Sequence, residues 1–293
     1  MSVALRVLEI VAPVFLLAAV GYVWVRQGLE YHMTFVTRLA TVLALPCLIF
    51  TALMKTEIDK SALASLSLAA LAAYGAVALV IWVLVRVLNL NPQTYLAPLV
   101  FGNTGNLGLP IALFAFGDVG LSYAVVVFAV MIILSFTVGI WMITGETSPL
   151  KILRDPVVVA TLLGAVFLWF GWETPVFLTH SLDLIGQMAI PLMLVTLGVA
   201  VARLHPRRVV DALGLSLAKF VICVGLAWGI GLGFGLPPVP LAILVLQVAT
   251  PVAVTNYLLA EKYDTDPETV AGLVVVSTLV SVAGLPLILA AFV

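Results

Sequence analysis

Charge is what this sequence has least of. Thirteen Lys and Arg and fourteen Asp and Glu make up 9% of the 293 residues. A soluble domain carries about 25%. Too few charges remain to cover a water-facing surface of this size. The net charge of −1 gives no basic face for nucleic acid. Only two cysteines are present, Cys47 and Cys223, and both fall in apolar runs, which excludes a disulfide scaffold. His32, His180 and His205 are too dispersed for a metal site. No H-E-x-x-H motif, paired intramembrane aspartates or glycine-flanked serine nucleophile occurs, so an intramembrane protease lacks its groups and the chain reads as a non-enzyme. Alternation of apolar and polar residues, the mark of a membrane barrel, is also missing.

Apolar residues fill the space that charge leaves. They form 63% of the chain, and mean hydropathy is +1.26. A spanning helix needs about 20 apolar residues. Ten segments qualify, at 8–25, 34–54, 62–88, 94–116, 119–143, 157–172, 177–201, 209–235, 239–260 and 268–292. The expected fold class is an all-α integral membrane protein with ten transmembrane helices. The first segment reads as a retained helix, because its positive charges follow it and no small-residue cleavage site appears. Arg26, Arg38, Arg86, Lys151, Arg154, Arg203, Arg207, Arg208 and Lys262 fall on one side, and Arg6, Lys55 and Lys60 on the other. The basic side is expected to be cytoplasmic, which puts both termini outside.

Ten spans divide into halves 1–143 and 157–293, joined by a cytoplasmic linker at 144–156. Landmarks recur. Pro46 and Pro191 mark the second and seventh spans, and Pro110 and Pro251 the fourth and ninth. Five spans per half force the second copy upside down, the inverted-repeat plan of secondary transporters. The fourth span packs Asn103, Gly105, Asn106, Gly108 and Pro110 together, and the ninth holds Gln247, Thr250, Pro251, Thr255 and Asn256. Such clusters are tolerated at membrane depth only where backbone is buried or lines a wet cavity. Both helices are therefore expected to break. Each proline withholds a hydrogen bond from the carbonyl four residues earlier, on Asn106 and Gln247. Each is also expected to begin a half-helix whose positive end suits an anion, while the freed carbonyls could hold a cation.

Lys219 lies about ten residues into the eighth span, roughly 15 Å deep at 1.5 Å per residue. No acidic residue within a turn can pair with it. An intramembrane ionisable group is a functional candidate. It could meet an anionic substrate, stand in for sodium or carry a proton. The glycines at 225, 229, 231, 233 and 235 suit close helix packing. Glu9 and Asp183 fall near outer ends and read as solvated.

The segment Asn103-Thr104-Gly105-Asn106-Leu107-Gly108-Leu109-Pro110 carries an N-x-G-x-x-G-x-P pattern that resembles the signature of the auxin efflux carrier family. The stretch from Thr250 to Ile288 and the start, VAPVFLLAAVGYVWVRQGL with LATVLALPCLIFTAL, are similar to the same family. The resemblance implies a fold similar to the bile-acid/sodium symporters. Helices 1, 2, 6 and 7 would form a scaffold, helices 3–5 and 8–10 a transport unit, with helices 4 and 9 crossing at their breaks. It implies a carrier for small organic anions, mono- or dicarboxylates, working by elevator-type alternating access in a bacterial inner membrane. It also implies a homodimer through the scaffold. The short linker is closer to bacterial members than to plant ones. The third span lacks the acidic residue that some plant members place there. No cofactor is expected, and coupling to H+ or Na+ stays open. A cation/proton antiporter on a similar crossover fold and a receptor that binds without transport remain the alternatives.

Overall fold

A computed structural model of the chain describes residues 3–145, 155–204 and 209–292. Most of the expected linker, with Lys151 and Arg154, lies outside the described residues, as do His205, Arg207 and Arg208. We number the helical runs in chain order: α1 Val3–Arg26, α2 Met33–Met54, α3 Lys60–Val87, α4 Pro92–Val100, α5 Thr104–Thr144, α6 Pro156–Phe170, α7 Val176–Arg203, α8 Val209–Gly233, α9 Pro238–Val248, α10 Val254–Tyr263 and α11 Pro267–Ala290. Among the described residues, seven of these are long and apolar enough to cross a membrane, while α6 and α9 are shorter apolar helices. No strand occurs among the described residues. The protein is a multi-pass, all-helical membrane protein. Its outer surface carries exposed Leu8, Leu16, Leu79, Phe177, Val221 and Leu287, which lipid covers at no cost.

Local chemistry sets the helix starts. Asn91-Pro92, Asp155-Pro156 and Asp266-Pro267 each pair a side-chain cap with a proline in the first turn. The carboxylate or amide oxygen accepts orphan N–H bonds, and proline has no N–H to orphan. Asp59 begins α3 in the same way without proline, accepting from the Ser61 N–H and hydroxyl. These bonds hold its carboxyl below the usual carboxylate range. Gly117 adopts φ 63°, ψ −155° inside α5, a region open essentially to glycine alone. There the long apolar run kinks, at the boundary between the expected fourth and fifth spans.

Two prolines are absorbed by π-helical turns. Pro46 and Pro110 each follow a π-helical turn, at Leu39–Ala44 and Thr104–Gly108. A π turn bonds i to i+5, so the carbonyl that a proline cannot serve is offered to the next residue. Pro110 therefore lies inside a continuous run instead of starting one.

The helices pack as two groups. In one, α1 lies along the second part of α7, Ala189–Arg203, and the second part of α2, Leu45–Met54, packs on α6 and on Val176–Gln187 of α7. In the other, α8 packs on α3, α9 and α11, and α5 packs on α3 and α9. The expected glycine-mediated packing of α8 is only partly met. Gly231 touches Leu241 and Leu244, while Gly225, Gly229 and Gly233 face open space. The close backbone approach is elsewhere. A Cβ at Gly198 would strike the Ala18 carbonyl oxygen, and one at Gly21 the Val195 carbonyl oxygen.

Candidate functional site

Both interrupted segments leave the helix, and the two interruptions touch. Between α4 and α5 the chain is extended at Phe101 (φ −96°, ψ 115°). Between α9 and α10 it is extended at Ala253 (φ −71°, ψ 142°). Gly102 and Val252 form an isolated antiparallel bridge, and the Asn103 N–H donates to the Pro251 carbonyl at 2.7 Å. The Val252 N–H donates to Ser277 Oγ at 2.9 Å, and Asn256 Nδ2 donates to the Phe101 carbonyl at 3.0 Å. Backbone groups that two broken helices would leave unpaired are thus served by each other and by the Ser277 and Asn256 side chains. Glycine is needed at this approach: a Cβ on Gly102 would strike Thr250 Oγ1, and one on Gly108 would strike Gln247 Oε1.

The new helical runs begin at Thr104 and Val254, not at the prolines. Pro251 lies in the extended stretch before α10. The residue before a proline is pushed out of the α region, so the ninth span breaks at its proline, whereas the π turn lets the fourth break ahead of Pro110. The freed carbonyl of Gln247 is not free either, because Thr250 Oγ1 donates to it at 2.7 Å. At the two interruptions, the buried side-chain atoms left without partners are Asn103 Nδ2, Thr104 Oγ1 and Gln247 Oε1. Gln247 Nε2 donates to the Ala124 carbonyl at 3.4 Å.

Beside the crossing lies a cavity of about 270 Å³. Thr37 and Thr41 of α2 and Met193, Thr196 and Arg203 of α7 form one wall, and Asn106 of α5 with Thr255 of α10 form the other. It therefore sits on the seam between the two helix groups and at the first turns of α5 and α10. Of the expected site residues, Asn106 and Thr255 line it. Asn103, Gly105, Gly108, Pro110, Gln247, Thr250, Pro251 and Asn256 are buried in or beside the two interruptions. No Asp or Glu lines the cavity.

Sequence reasoning missed Thr37, Thr41, Thr196 and Arg203. Arg203 served there only as an orientation charge. Its Nη2 donates to the Tyr31 carbonyl at 2.8 Å, and the Tyr31 hydroxyl pairs with Thr196 Oγ1 at 2.7 Å. Burial pushes the Tyr31 phenol above its ordinary range, against weaker pulls from Thr196 and Arg203, so it stays neutral near pH 7. The one available signal was the pair of threonines a helical turn apart, Thr37 and Thr41, in an otherwise apolar segment.

A larger cavity of about 830 Å³ opens on the opposite face of the same seam. Lys55, Glu57, Asp118 and Asp183 are among its lining residues. Asp183, read as merely solvated, is ion-paired with Lys55. Along α7 the two cavities are divided between Pro191 and Met193.

Lys219 lines neither cavity. It is 2% exposed, and its one polar contact among the described residues is Cys223 Sγ at 3.8 Å. The structure thus does not bring Lys219 to the crossing cavity. It stands apart as the single charged side chain among the described buried residues. No cluster of three or more His, Cys, Asp or Glu suited to a metal occurs among the described residues.

Comparison with known proteins supplies the remaining observations. A family profile described as membrane transport protein matches residues 6–152 and 144–289. A Rhizobium meliloti protein provisionally named a malonate transporter is 25% identical, over 94% of this chain and 92% of its own. An uncharacterized transporter of Methanothermobacter thermautotrophicus is 27% identical over 95% of this chain and 96% of its own. An uncharacterized transporter of Methanocaldococcus jannaschii is 26% identical over 61% of each chain, so the match spans less than two thirds of that relative.

Proposed function

Because the chain belongs to the family of membrane transport proteins, the auxin efflux carrier family, we propose that it is a secondary carrier for a small organic anion, a mono- or dicarboxylate. The observation that carries this reading is the seam cavity. It combines the first turns of two helical runs, hydroxyl and amide side chains, one arginine and no acidic group. Helix N-termini carry about half a positive charge and favour anions. The named Rhizobium relative is consistent with a carboxylate substrate.

In this reading the ten apolar segments are ten spans in two inverted repeats. The α1, α2, α6 and α7 group is the scaffold, and the group that holds both breaks is the moving unit. The cavities on opposite faces of one seam are the two access routes. Sliding the moving unit along α2 and α7 would close one and open the other. The arginine-bearing face is cytoplasmic, both termini lie outside, and the scaffold is the surface for a second copy in a bacterial inner membrane. The cation/proton antiporter gains no support, because no acidic residue is buried among the described residues.

Purified protein in liposomes tests the site. Uptake of radiolabelled malonate and pyruvate is measured for the native protein, Asn106→Ala and Arg203→Gln. Asn106→Ala removes an amide from the anion cavity and is expected to lower uptake at least tenfold. Arg203→Gln is expected to raise KM severalfold and to weaken its dependence on salt, because a charge at the mouth acts on encounter. Uptake unchanged in both variants would remove the assignment.

A further inference from the structure

We propose that Lys219 is a fixed counter-charge carried by the moving helix group, cancelling one negative charge of the substrate as it crosses the membrane. The inference rests on the carrier reading above. An anion in a low-dielectric interior is strongly disfavoured unless a compensating charge travels with it. The described buried residues contain one charged side chain, Lys219, and no acidic one. That lysine belongs to α8, whose partners α3, α9 and α11 all lie in the group that holds the breaks. It lines neither seam cavity, so it acts through its charge and not through contact with the substrate.

Its surroundings hold polar groups but, among the described residues, no buried anion. Cys223 Sγ is a weak acceptor one turn along the same face, and Ser216 lies one turn in the other direction. The Ser216 hydroxyl is buried without a partner, as is the hydroxyl of Tyr74 on the facing α3. Tyr74 stacks on Phe101 at the first break. α8 also touches α4 and α9. Both of those helices end at the breaks, and their C-termini carry partial negative charge. Nothing in this set supplies a full negative charge, so the buried interior of the empty moving unit carries one positive charge, and that of the loaded unit carries the substrate charge plus one.

Voltage reads that sum directly. Exchange of labelled for unlabelled substrate at equal concentrations uses only the loaded form. For pyruvate the loaded unit is neutral, and exchange by the native protein should be flat between −100 and +100 mV. For malonate the loaded unit carries one negative charge. Exchange should then slow about threefold at 100 mV of either sign, given the energy of one charge in that field. Lys219→Met shifts both by one charge. Pyruvate exchange becomes voltage-dependent by about threefold, and malonate exchange slows more than tenfold. Lys219→Arg should behave like the native protein.

The potential is set with potassium gradients and valinomycin. If Lys219→Met does not insert or fold, the native protein alone decides, because a voltage-dependent pyruvate exchange or a more than tenfold malonate effect contradicts a fixed positive charge. Unchanged voltage dependence in a folded Lys219→Met variant also overturns the inference while leaving the carrier reading intact. Failure of both carboxylates to enter native liposomes overturns the carrier reading and this inference with it.

Discussion

Alanine at Gly198 is expected to lower the thermal midpoint of the purified protein by roughly 2–12 °C, while alanine at Gly214 should leave it unchanged or raise it slightly. A Cβ at Gly198 meets the Ala18 carbonyl and, at 2.8 Å, the Tyr22 nitrogen. Both are backbone atoms of α1, so no side-chain rotation relieves the clash. The helices must separate, along the most extensive interface in the first helix group. Overpacking of this kind costs about 1–3 kcal/mol, and each kcal/mol moves the midpoint of a large domain by about 2–4 °C. Gly214 has nothing within 4 Å of its notional Cβ, and alanine gains about 1 kcal/mol over glycine in a helix. Gly21 makes the reciprocal contact with the Val195 carbonyl. Gly21→Ala and Gly198→Ala should therefore combine less than additively, because one separation relieves both. Equal midpoints for Gly198→Ala and Gly214→Ala, followed by light scattering or tryptophan fluorescence on heating, would show that α1 and α7 do not meet this closely.

Asn256→Ala should reduce uptake to one tenth or less in liposomes while the protein still elutes as a folded species. Asn256 is buried and donates its amide to the Phe101 carbonyl, 155 residues away in sequence. Removing the donor strands a buried carbonyl, at a cost of about 1–3 kcal/mol. The loss falls where the two breaks are held together by few other bonds: the Gly102–Val252 bridge, the Asn103 to Pro251 bond and the Ser277 support of Val252. The first turns of α5 and α10 would lose their mutual alignment, and with it the shape of the cavity wall that Asn106 and Thr255 form. Asn256→Asp should be at least as damaging, because a carboxylate offers no donor and repels the carbonyl. Ser277→Ala, which orphans the Val252 N–H from the other side, should act in the same direction with smaller effect. Uptake by Asn256→Ala within twofold of native would show that this bond does not organise the site.

The interruptions were legible in the sequence because glycine, proline and asparagine at membrane depth conflict with helix propensity and with lipid at once. Their geometry was not. Pro110 looked like a helix start, yet a π turn absorbs it, a device that depends on how the preceding residues pack. Gln247 looked like an open carbonyl, yet Thr250 three residues on closes it. Arg203 looked like one more orientation charge. Only the path of the 27–32 turn, which brings Tyr31 to Thr196 and Arg203, places it at a cavity mouth.

What the sequence determined alone was residence in the membrane, the positions of the apolar segments and the places where they fail. Each of these sums transfer and propensity terms over neighbouring residues, so local composition suffices. The tertiary structure decided which failures meet, which residues face the seam and which are merely buried. Those outcomes depend on pairings such as Gly102 with Val252 and Phe101 with Asn256, about 150 residues apart. Lys219 shows the division most clearly. Its depth was evident from composition, but its absence from both cavity linings came from the packing of α8 within its own helix group.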